Sequence, residues 1–167
     1  MKDENNETPG NEEENKNKYI LSDGSLVTCF INDINGDEQE NIDDKEYKDI
    51  DGCIIVYDIS KKKSFEDVQK IFVPKIKSKC NKNIKVILLG NKSDLNYIRE
   101  VTAIEGNQLA LNNHFYFKET STIEKNTVAD AFQTIIETTN FEKNKKEKRK
   151  KDKKDKKDKK NSHCLLF

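Results

Sequence analysis

Two apolar runs, Cys53–Tyr57 and Ile84–Leu89, the second interrupted only by Lys85, restrict the folds open to this chain more than any other feature. A strand that alternates apolar and polar residues needs cover on one face, whereas a strand that is apolar throughout needs cover on both faces. Stretches with the helical spacing of apolar residues follow both runs, and Thr102 and Glu105 form a capping-box pattern at the start of one of them. Strands that alternate with helices predict an α/β domain with a mostly parallel, doubly wound sheet.

A β-hairpin is predicted ahead of these strands. The runs Tyr19–Leu21 and Leu26–Ile31 flank the turn-forming segment Ser22-Asp23-Gly24-Ser25. Ser64 is predicted to cap the helix after the first apolar run, and Pro74 is predicted to kink or restart that helix. In sheets of this kind ligands bind at the carboxyl ends of the strands, so the loops that follow the strands are the places to seek chemistry.

The two ends of the chain differ in composition from the part between them. Residues 1–17 hold six acidic residues, two lysines and no large apolar residue except Met1. Such a segment cannot bury enough surface to offset the entropy of ordering it. Residues 142–167 are dominated by charge. The sequence therefore predicts a disordered acidic N-terminus over 1–17, one domain over 18–141 and a disordered basic tail over 142–167.

Charge is divided unevenly along the chain. Basic and acidic residues number 31 each, so the formal net charge is zero. Residues 142–167 hold thirteen basic and five acidic residues, which gives this segment a charge of +8 and leaves −8 for the rest. A basic tail on an acidic body predicts an anionic partner for the tail. Nucleic-acid contact or nuclear targeting is the rival interpretation, but no aromatic residues interleave with the lysines, and we predict no nucleic-acid partner.

The segment Asn91-Lys92-Ser93-Asp94 follows the second apolar run, at the predicted carboxyl end of a strand. A carboxylate has two acceptor oxygens that match the adjacent ring N–H and exocyclic amine of guanine, whereas adenine has no such donor pair. A polar turn between strand and helix is the alternative interpretation. In this context the segment resembles the guanine-reading NKxD motif of the Ras superfamily. The resemblance implies that Asp94 binds the base, that Asn91 links neighbouring loops and that the Lys92 stem lies against the base.

A second segment, Glu119-Thr120-Ser121-Thr122, follows the predicted short strand Phe115–Phe117. On composition alone it could be any turn rich in Ser and Thr. Its position, one helix and one strand after the first motif, resembles that of the ETSA loop of the same superfamily. The resemblance implies that the backbone at Ser121 and Thr122 meets the oxygen of guanine.

A third segment, Asp33-Ile34-Asn35-Gly36-Asp37, follows the second hairpin strand. A simple Asn-Gly turn is the alternative, but the segment resembles the DxxG motif of the superfamily. The resemblance implies that Ile34 and Asn35 lie at the nucleotide, that Asp33 reaches Mg²⁺ through water and that the Gly36 amide contacts the terminal phosphate. Asp37 stands where the family usually has the Gln that orients the attacking water. A carboxylate repels the γ-phosphate, so we expect weak or absent hydrolysis and assign no catalytic residue.

The phosphate-binding pattern G-x-x-x-x-G-K-[ST] does not occur in this sequence, since none of its six glycines is followed by Lys. The resemblance covers residues 18–141 and implies a three-layer Ras-like G domain that lacks the first, central strand, the phosphate loop and the first helix. The strands that end at Ile31 and start at Cys53 would then lose the partner between them, or pair with each other. Weak or absent binding of GTP or GDP with Mg²⁺ is expected.

The segment Cys164-Leu165-Leu166-Phe167 matches the C-a-a-X pattern, in which the last residue, Phe, favours geranylgeranylation of the cysteine. The lysine-rich repeat over 153–160 precedes it, and one lipid together with a basic patch holds a protein on an anionic membrane. A solvated tail with a chance cysteine is the alternative. The predicted partners are a prenyltransferase and an anionic inner leaflet, and the predicted location is the cytoplasmic side of the plasma membrane.

Three functional hypotheses stay open. The chain is a Ras-type GTP-binding switch in membrane-associated signalling, a membrane-tethered pseudo-GTPase that binds without turnover, or a truncated product without a folded role. Whether it is an enzyme is undecided, because the phosphate loop is absent and Asp37 takes the place of the catalytic Gln. The predicted tail differs from the double-cysteine ends common in Rab proteins, which favours a Ras-type subfamily.

Overall fold

A computed structural model describes residues 16–34, 47, 50–151 and 162–166, and for 142, 143, 145–151 and 162–166 it describes the backbone alone. The strands are β1 Lys16–Ile20, β2 Leu26–Asp33, β3 Gly52–Asp58, β4 Lys85–Asn91, β5 Tyr116–Thr120 and β6 Ser162–Leu166. They form one sheet in the order β1-β2-β6-β3-β4-β5. β1 and β2 form the predicted antiparallel hairpin, and the other neighbouring pairs are parallel. The prediction of an α/β fold with a mostly parallel sheet is therefore confirmed.

The described residues form four α-helices: α1 Lys62–Asp67, α2 Val73–Lys79, α3 Ala103–Asn113 and α4 Lys125–Lys151. A π-helical turn, Val68–Phe72, joins α1 to α2, and a 3₁₀ helix, Ser93–Ile98, follows β4. Pro74 lies in the first turn of α2, where a missing N–H costs nothing, so regular helix restarts there as predicted.

The capping box predicted at the start of α3 is present. The Thr102 hydroxyl accepts a hydrogen bond from the Glu105 N–H at 3.2 Å, and the Glu105 carboxylate accepts one from the Thr102 N–H at 2.8 Å. These two bonds satisfy donors that the first turn of a helix otherwise leaves without partners. The sequence thus sets the start of α3 locally, before any packing.

Helices cover both faces of β3 and β4, as their apolar runs require. On one face these strands pack against α1, α2 and α3 through residues that include Tyr57, Phe65 and Ala110. On the other face they pack against α4 and the hairpin through residues that include Ile54 and Ile135. Successive residues of one strand are thus buried in opposite clusters, which explains why Cys53–Tyr57 and Val86–Leu89 contain no charged residue.

Regular structure extends past both ends of the predicted 18–141 domain. β1 begins at Lys16, within the 1–17 segment predicted to be disordered. α4 continues from Lys125 through Lys151, and β6 also lies within the 142–167 segment predicted to be a disordered tail. A helix that starts on an apolar stripe can continue through Lys and Glu, because both have high helix propensity. β1 and α4 thus cross the predicted bounds of the domain.

β6 occupies the central position of the sheet that was expected to lack a strand. Cys29–Asp33 of β2 pair with Ser162–Leu166, and Gly52–Ile54 of β3 pair with Cys164–Leu166. The expectation that β2 and β3 lose their central partner or pair with each other is therefore wrong, because β6 pairs with both. The acidic N-terminal residues are too polar for this position, whereas the uncharged segment that forms β6 is not.

Gly106→Ala should destabilise the fold by about 1–3 kcal/mol through overpacking. Gly-to-Ala exchange inside a helix ordinarily stabilises by about 1 kcal/mol, so the expected sign is reversed here. The added Cβ would overlap the Tyr57 hydroxyl and approach a Phe117 ring carbon to 2.6 Å. Denaturant unfolding measures the change, and Asn107→Ala, at an exposed neighbouring position of α3, is the matched control. A Gly106→Ala protein more stable than the wild type would contradict this packing.

Candidate functional site

Three polar residues end neighbouring parallel strands at one level. Asp58, the last residue of β3, is in register with Asn91, the last residue of β4. Asn91 is in turn in register with Thr120, the last residue of β5. The loops that follow these strands therefore leave the sheet side by side. This brings the predicted Asn91–Asp94 motif next to the predicted Ser121 loop.

Two side-chain hydrogen bonds join the loops after β4 and β5. The Thr120 hydroxyl donates to the side-chain oxygen of Asn91 at 3.2 Å, and the Ser121 hydroxyl donates to one carboxylate oxygen of Asp94. Thr120 and Ser121 are buried, whereas Asp94 is exposed. Within the described residues, the other carboxylate oxygen of Asp94 has no hydrogen-bonding partner. The core thus holds Asp94 by one oxygen and leaves its carboxylate facing solvent.

Ser121 also shapes the loop between β5 and α4. Its N–H donates to the Thr127 hydroxyl at 3.0 Å, and its hydroxyl accepts from the Ile123 N–H at 3.1 Å. The single buried hydroxyl therefore fixes both its own loop and the Asp94 carboxylate. Thr122, the other residue predicted here, is exposed, and so is Lys92, while Ser93 begins the 3₁₀ helix after β4.

Lys92 adopts a left-handed backbone conformation, with φ 65° and ψ 40°. This region is uncommon for residues other than Gly and costs free energy unless contacts hold it. The Lys92 ammonium lies 2.7 Å from Oδ2 of Asp58. Ser60 donates to Oδ1 of the same carboxylate through its N–H at 2.9 Å and its hydroxyl at 2.6 Å. Asp58 thus anchors the sharp turn that directs the chain from β4 towards Asp94.

Asp58 was not among the residues predicted for the site. Its signal was positional, since it directly follows the first apolar run at a strand end. Burial raises the pKa of Asp58, but hydrogen bonds from Lys92 and Ser60 outweigh that effect and hold this pKa below its ordinary value. The carboxylate therefore stays ionised and available to Lys92 at neutral pH.

Ser64 supports Asp58 rather than capping a helix. Its hydroxyl accepts from the Asp58 N–H at 3.0 Å and donates to the Lys61 carbonyl oxygen at 2.7 Å. α1 begins at Lys62 with Lys61 as its N-cap residue, so the predicted Ser64 cap is wrong. The hydroxyl bonds across the loop because β3 ends close to the first turn of α1.

A bidentate ion pair closes another side of the same region. Arg99 donates to the two carboxylate oxygens of Glu119, at 2.5 Å and 2.9 Å. The side chains are only 17% and 23% exposed, so solvent screens this pair less than a surface pair. The hydrogen bonds with Glu119 raise the pKa of Arg99. The segment after the 3₁₀ helix is thereby fixed to β5.

Of the predicted phosphate side of the site, the structure describes Asp33 and Ile34. Asp33 is the last residue of β2 and is exposed, and Ile34 packs partly against the core. Asn35, Gly36 and Asp37 lie outside the described residues. Asp33 is level with Ile54, four residues before Asp58 along β3, and three strand spacings separate β2 from β4. These offsets place Asp33 about 20 Å from Asn91.

Other features of the described residues lie away from this edge of the sheet. A cavity of about 500 Å³ lies at the opposite edge, with Lys85, Tyr116 and Glu137 among its lining residues. Nowhere in the described ranges do three or more His, Cys, Asp or Glu side chains group as metal ligands. In the same ranges, no helix combines the length and apolar character needed to cross a membrane. Cys164, the predicted lipidation site, is the middle residue of β6.

Lys92→Met should raise the pKa of Asp58, because it removes the positive charge paired with this carboxylate while burial stays. A depressed carboxylate pKa stabilises the fold above the unfolded value, near 3.8, and this contribution is lost as the pH falls through the folded value. The loss on acidification should be smaller in Lys92→Met. NMR titration of the Asp58 carboxyl carbon measures the shift, with Lys61→Met as the charge-matched control. Equal titration curves for the two variants would contradict the pairing.

Comparison with known proteins agrees with this geometry. The model of the Ras family matches residues 2–141. Similar relatives include Ras-related protein Rab-11B of Dictyostelium discoideum (34% identical), Ras-related protein RGP2 of Oryza sativa subsp. japonica (35%) and GTP-binding protein ypt3 of Schizosaccharomyces pombe (34%). Each match covers 71% of this chain and 54–56% of the relative, so the chain spans about half the length of these curated relatives.

The names of these relatives bear on the subfamily. The C-a-a-X tail favours a Ras-type over a Rab-type chain, whereas several relatives are described as Rab proteins. The matched region excludes the tail on which that preference rested. At the level that both the family model and the relatives show, the chain belongs to the Ras family of small GTPases.

Proposed function

We propose that this chain binds guanine nucleotides and recognises them by the base, with Asp94 as the base-reading residue. The observation that carries the proposal is the hydrogen bond from the buried Ser121 hydroxyl to the exposed Asp94 carboxylate. It holds an acceptor pair at the carboxyl edge of a parallel sheet, where such folds bind ligands. Each carboxylate oxygen has two lone pairs, so Asp94 can keep Ser121 and still accept both donors of guanine.

The neighbouring side chains supply positioning for that interaction. The Thr120–Asn91 hydrogen bond keeps the two loops together, and the Lys92–Asp58 pair sets the turn before Asp94. With its ammonium engaged by Asp58, the aliphatic stem of Lys92 can lie along the face of a base. One relative, ypt3, is described as a GTP-binding protein, which agrees with the nucleotide class proposed here.

The described residues fit the base of the nucleotide better than its phosphates. The sequence contains no G-x-x-x-x-G-K-[ST] loop, and Asp33 lies far from the base-reading residues. Mg²⁺ bound with a triphosphate would neutralise phosphate charge, and its one predicted protein residue, Asp33, lies at the end of β2. Phosphate contacts and Mg²⁺ contribute much of the affinity at such sites, so we propose weak binding, with impaired hydrolysis.

Attachment to an anionic membrane is the second part of the proposal. The segment Cys164–Phe167 has the C-a-a-X pattern, and the lysine-rich repeat over 153–160 precedes it. A prenyltransferase would attach a lipid at Cys164, and the lysines would add attraction to anionic headgroups. On this proposal the chain acts in signalling at the cytoplasmic face of the plasma membrane. The pseudo-GTPase alternative shares this anchor and differs only in lacking turnover.

Asp94→Asn should weaken guanine-nucleotide binding by about tenfold to a hundredfold, because it removes a charged acceptor pair. The variant should prefer xanthine nucleotides, since the amide N–H₂ can donate to the carbonyl that replaces the amine of guanine. NMR titration with GDP, XDP and ADP at millimolar concentration measures this, read from the amides of residues 91–94 and 120–123.

Asp67→Asn is the matched control, because it also removes one carboxylate but lies in α1, paired with Lys63. It should leave the response to GDP unchanged. Equal responses of the wild type to GDP and ADP, or no response of residues 91–94 to GDP, would exclude base recognition at this edge of the sheet.

Cys164→Ser should release the protein from membranes, because serine cannot form the thioether that carries the lipid. Fractionation of cells with active prenyltransferases, with mass spectrometry of the C-terminal peptide, measures this. Cys80→Ser is the matched control, since Cys80 is partly buried after α2 and lies outside the C-a-a-X pattern. A wild-type protein that stays soluble and unlipidated in such cells would show that the anchor is not used.

A further inference from the structure

The centre of the sheet is completed by a strand from the opposite end of the sequence. β6 pairs in parallel with Cys29–Asp33 on one side and with Gly52–Ile54 on the other. A strand paired on both sides is internal, so its backbone donors and acceptors are directed at protein rather than solvent. The segment Ser162–Leu166 therefore fills a slot between β2 and β3.

The sequence of β6 suits this slot. Ser162–Leu166 contains no Asp, Glu, Lys or Arg, although residues 142–160 are mostly charged. Central parallel strands need such uncharged, largely apolar segments, because both faces are covered. The residues of β3 that pair with β6 include Cys53 and Ile54, both fully buried and in opposite core clusters. The segment thus joins the sheet where both faces already have a core.

The connection to β6 is long enough to close within one chain. The Thr139 side chain of α4 lies over the start of β3, since a Cβ on Gly52 would come 3.0 Å from its oxygen. α4 continues through Lys151, which carries it about 18 Å past that point. Residues 152–161 can span up to about 36 Å when extended, which suffices for the return to Ser162. No second molecule is needed to supply the strand.

We propose that the slot between β2 and β3 is a strand-acceptor site for the chain's own segment Ser162–Leu166, and that docking there withholds Cys164 from modification. Position 164 is in register with Ile31 on one side and Gly52 on the other. α4 packs directly on the sheet at Gly52, where a Cβ would already lie 3.0 Å from Thr139 and 3.2 Å from Ile135. Position 164 therefore lies at a level of the sheet where α4 packs closely on the neighbouring strand.

The docked and lipidated states of Cys164 therefore exclude each other. This exclusion rests on the lipidation proposed above, whereas docking of β6 does not. Lipidation forms a thioether between the Cys164 sulfur and the allylic carbon of an isoprenyl diphosphate. The carbon–oxygen bond breaks, diphosphate leaves and the thiol proton passes to solvent. The transferase must hold the residues after Cys164, and those residues are engaged in the sheet while β6 is docked. Because one segment serves both events, docking of β6 competes with binding of the same segment to the transferase.

His163→Pro should expose Cys164 without changing the C-a-a-X residues. Proline removes a backbone donor and is excluded from the interior of a central strand, whereas the control His163→Ala keeps the donor. Maleimide labelling of the full chain, read by peptide mass spectrometry, measures exposure of the thiol. We expect Cys164 to react at least about tenfold faster in His163→Pro than in the wild type or His163→Ala. Equal rates in all three proteins would overturn the docking.

A second measurement separates docking from lipidation. Incubation with a purified prenyltransferase and an isoprenyl diphosphate should modify His163→Pro faster than the wild type, while Cys164→Ser stays unmodified. If no protein is modified, the proposed lipid anchor fails, but the labelling rates still decide the docking. If all wild-type Cys164 is lipidated as fast as in His163→Pro, mutual exclusion is wrong.

Discussion

The parallel register of β3, β4 and β5 is the constraint on which the candidate site depends. It sets Asp58, Asn91 and Thr120 at one level, so that three loops leave the sheet together. Burial on both faces fixes that register, because a slip by one residue would move every side chain to the other face. Ile54 and Ile55, in opposite clusters, would each enter the wrong core. The geometry around Asp94 is therefore a consequence of core packing.

Local strain at the site is balanced by contacts that the register supplies. A residue such as Lys92 in the left-handed region costs about 1–3 kcal/mol. Its ion pair with Asp58 is screened on one side, since the Lys92 side chain is 46% exposed and that of Asp58 is 13% exposed. The ion pair alone therefore offsets little of the backbone strain at Lys92. The Ser60 hydrogen bonds fix the carboxylate beforehand, so less ordering entropy is lost when Lys92 pairs with it.

What the sequence predicted correctly depends on local patterns. The apolar runs gave β3 and β4, the Thr102–Glu105 box gave the start of α3, and the family motifs identified the loops that meet at the site. The missed features depend on distant partners. Ser64 has the composition of a cap, but the nearby end of β3 takes its hydroxyl. Similarly, nothing within Ser162–Leu166 indicates that the free position in the sheet lies between β2 and β3.

The two proposals concern opposite edges and opposite ends of β3, and this bears on how they interact. Within β3, β6 pairs with Gly52–Ile54 at the amino end, while Asp58 at the carboxyl end is paired with Asn91 of β4. A ligand shifts an equilibrium only through contacts that differ between the two states. β6 contributes no residue to the Lys92–Asp58 ion pair or to the Ser121–Asp94 hydrogen bond. If the tail strand exchanges as proposed, the exchange acts at the amino end of β3 and not on the loops around Asp94.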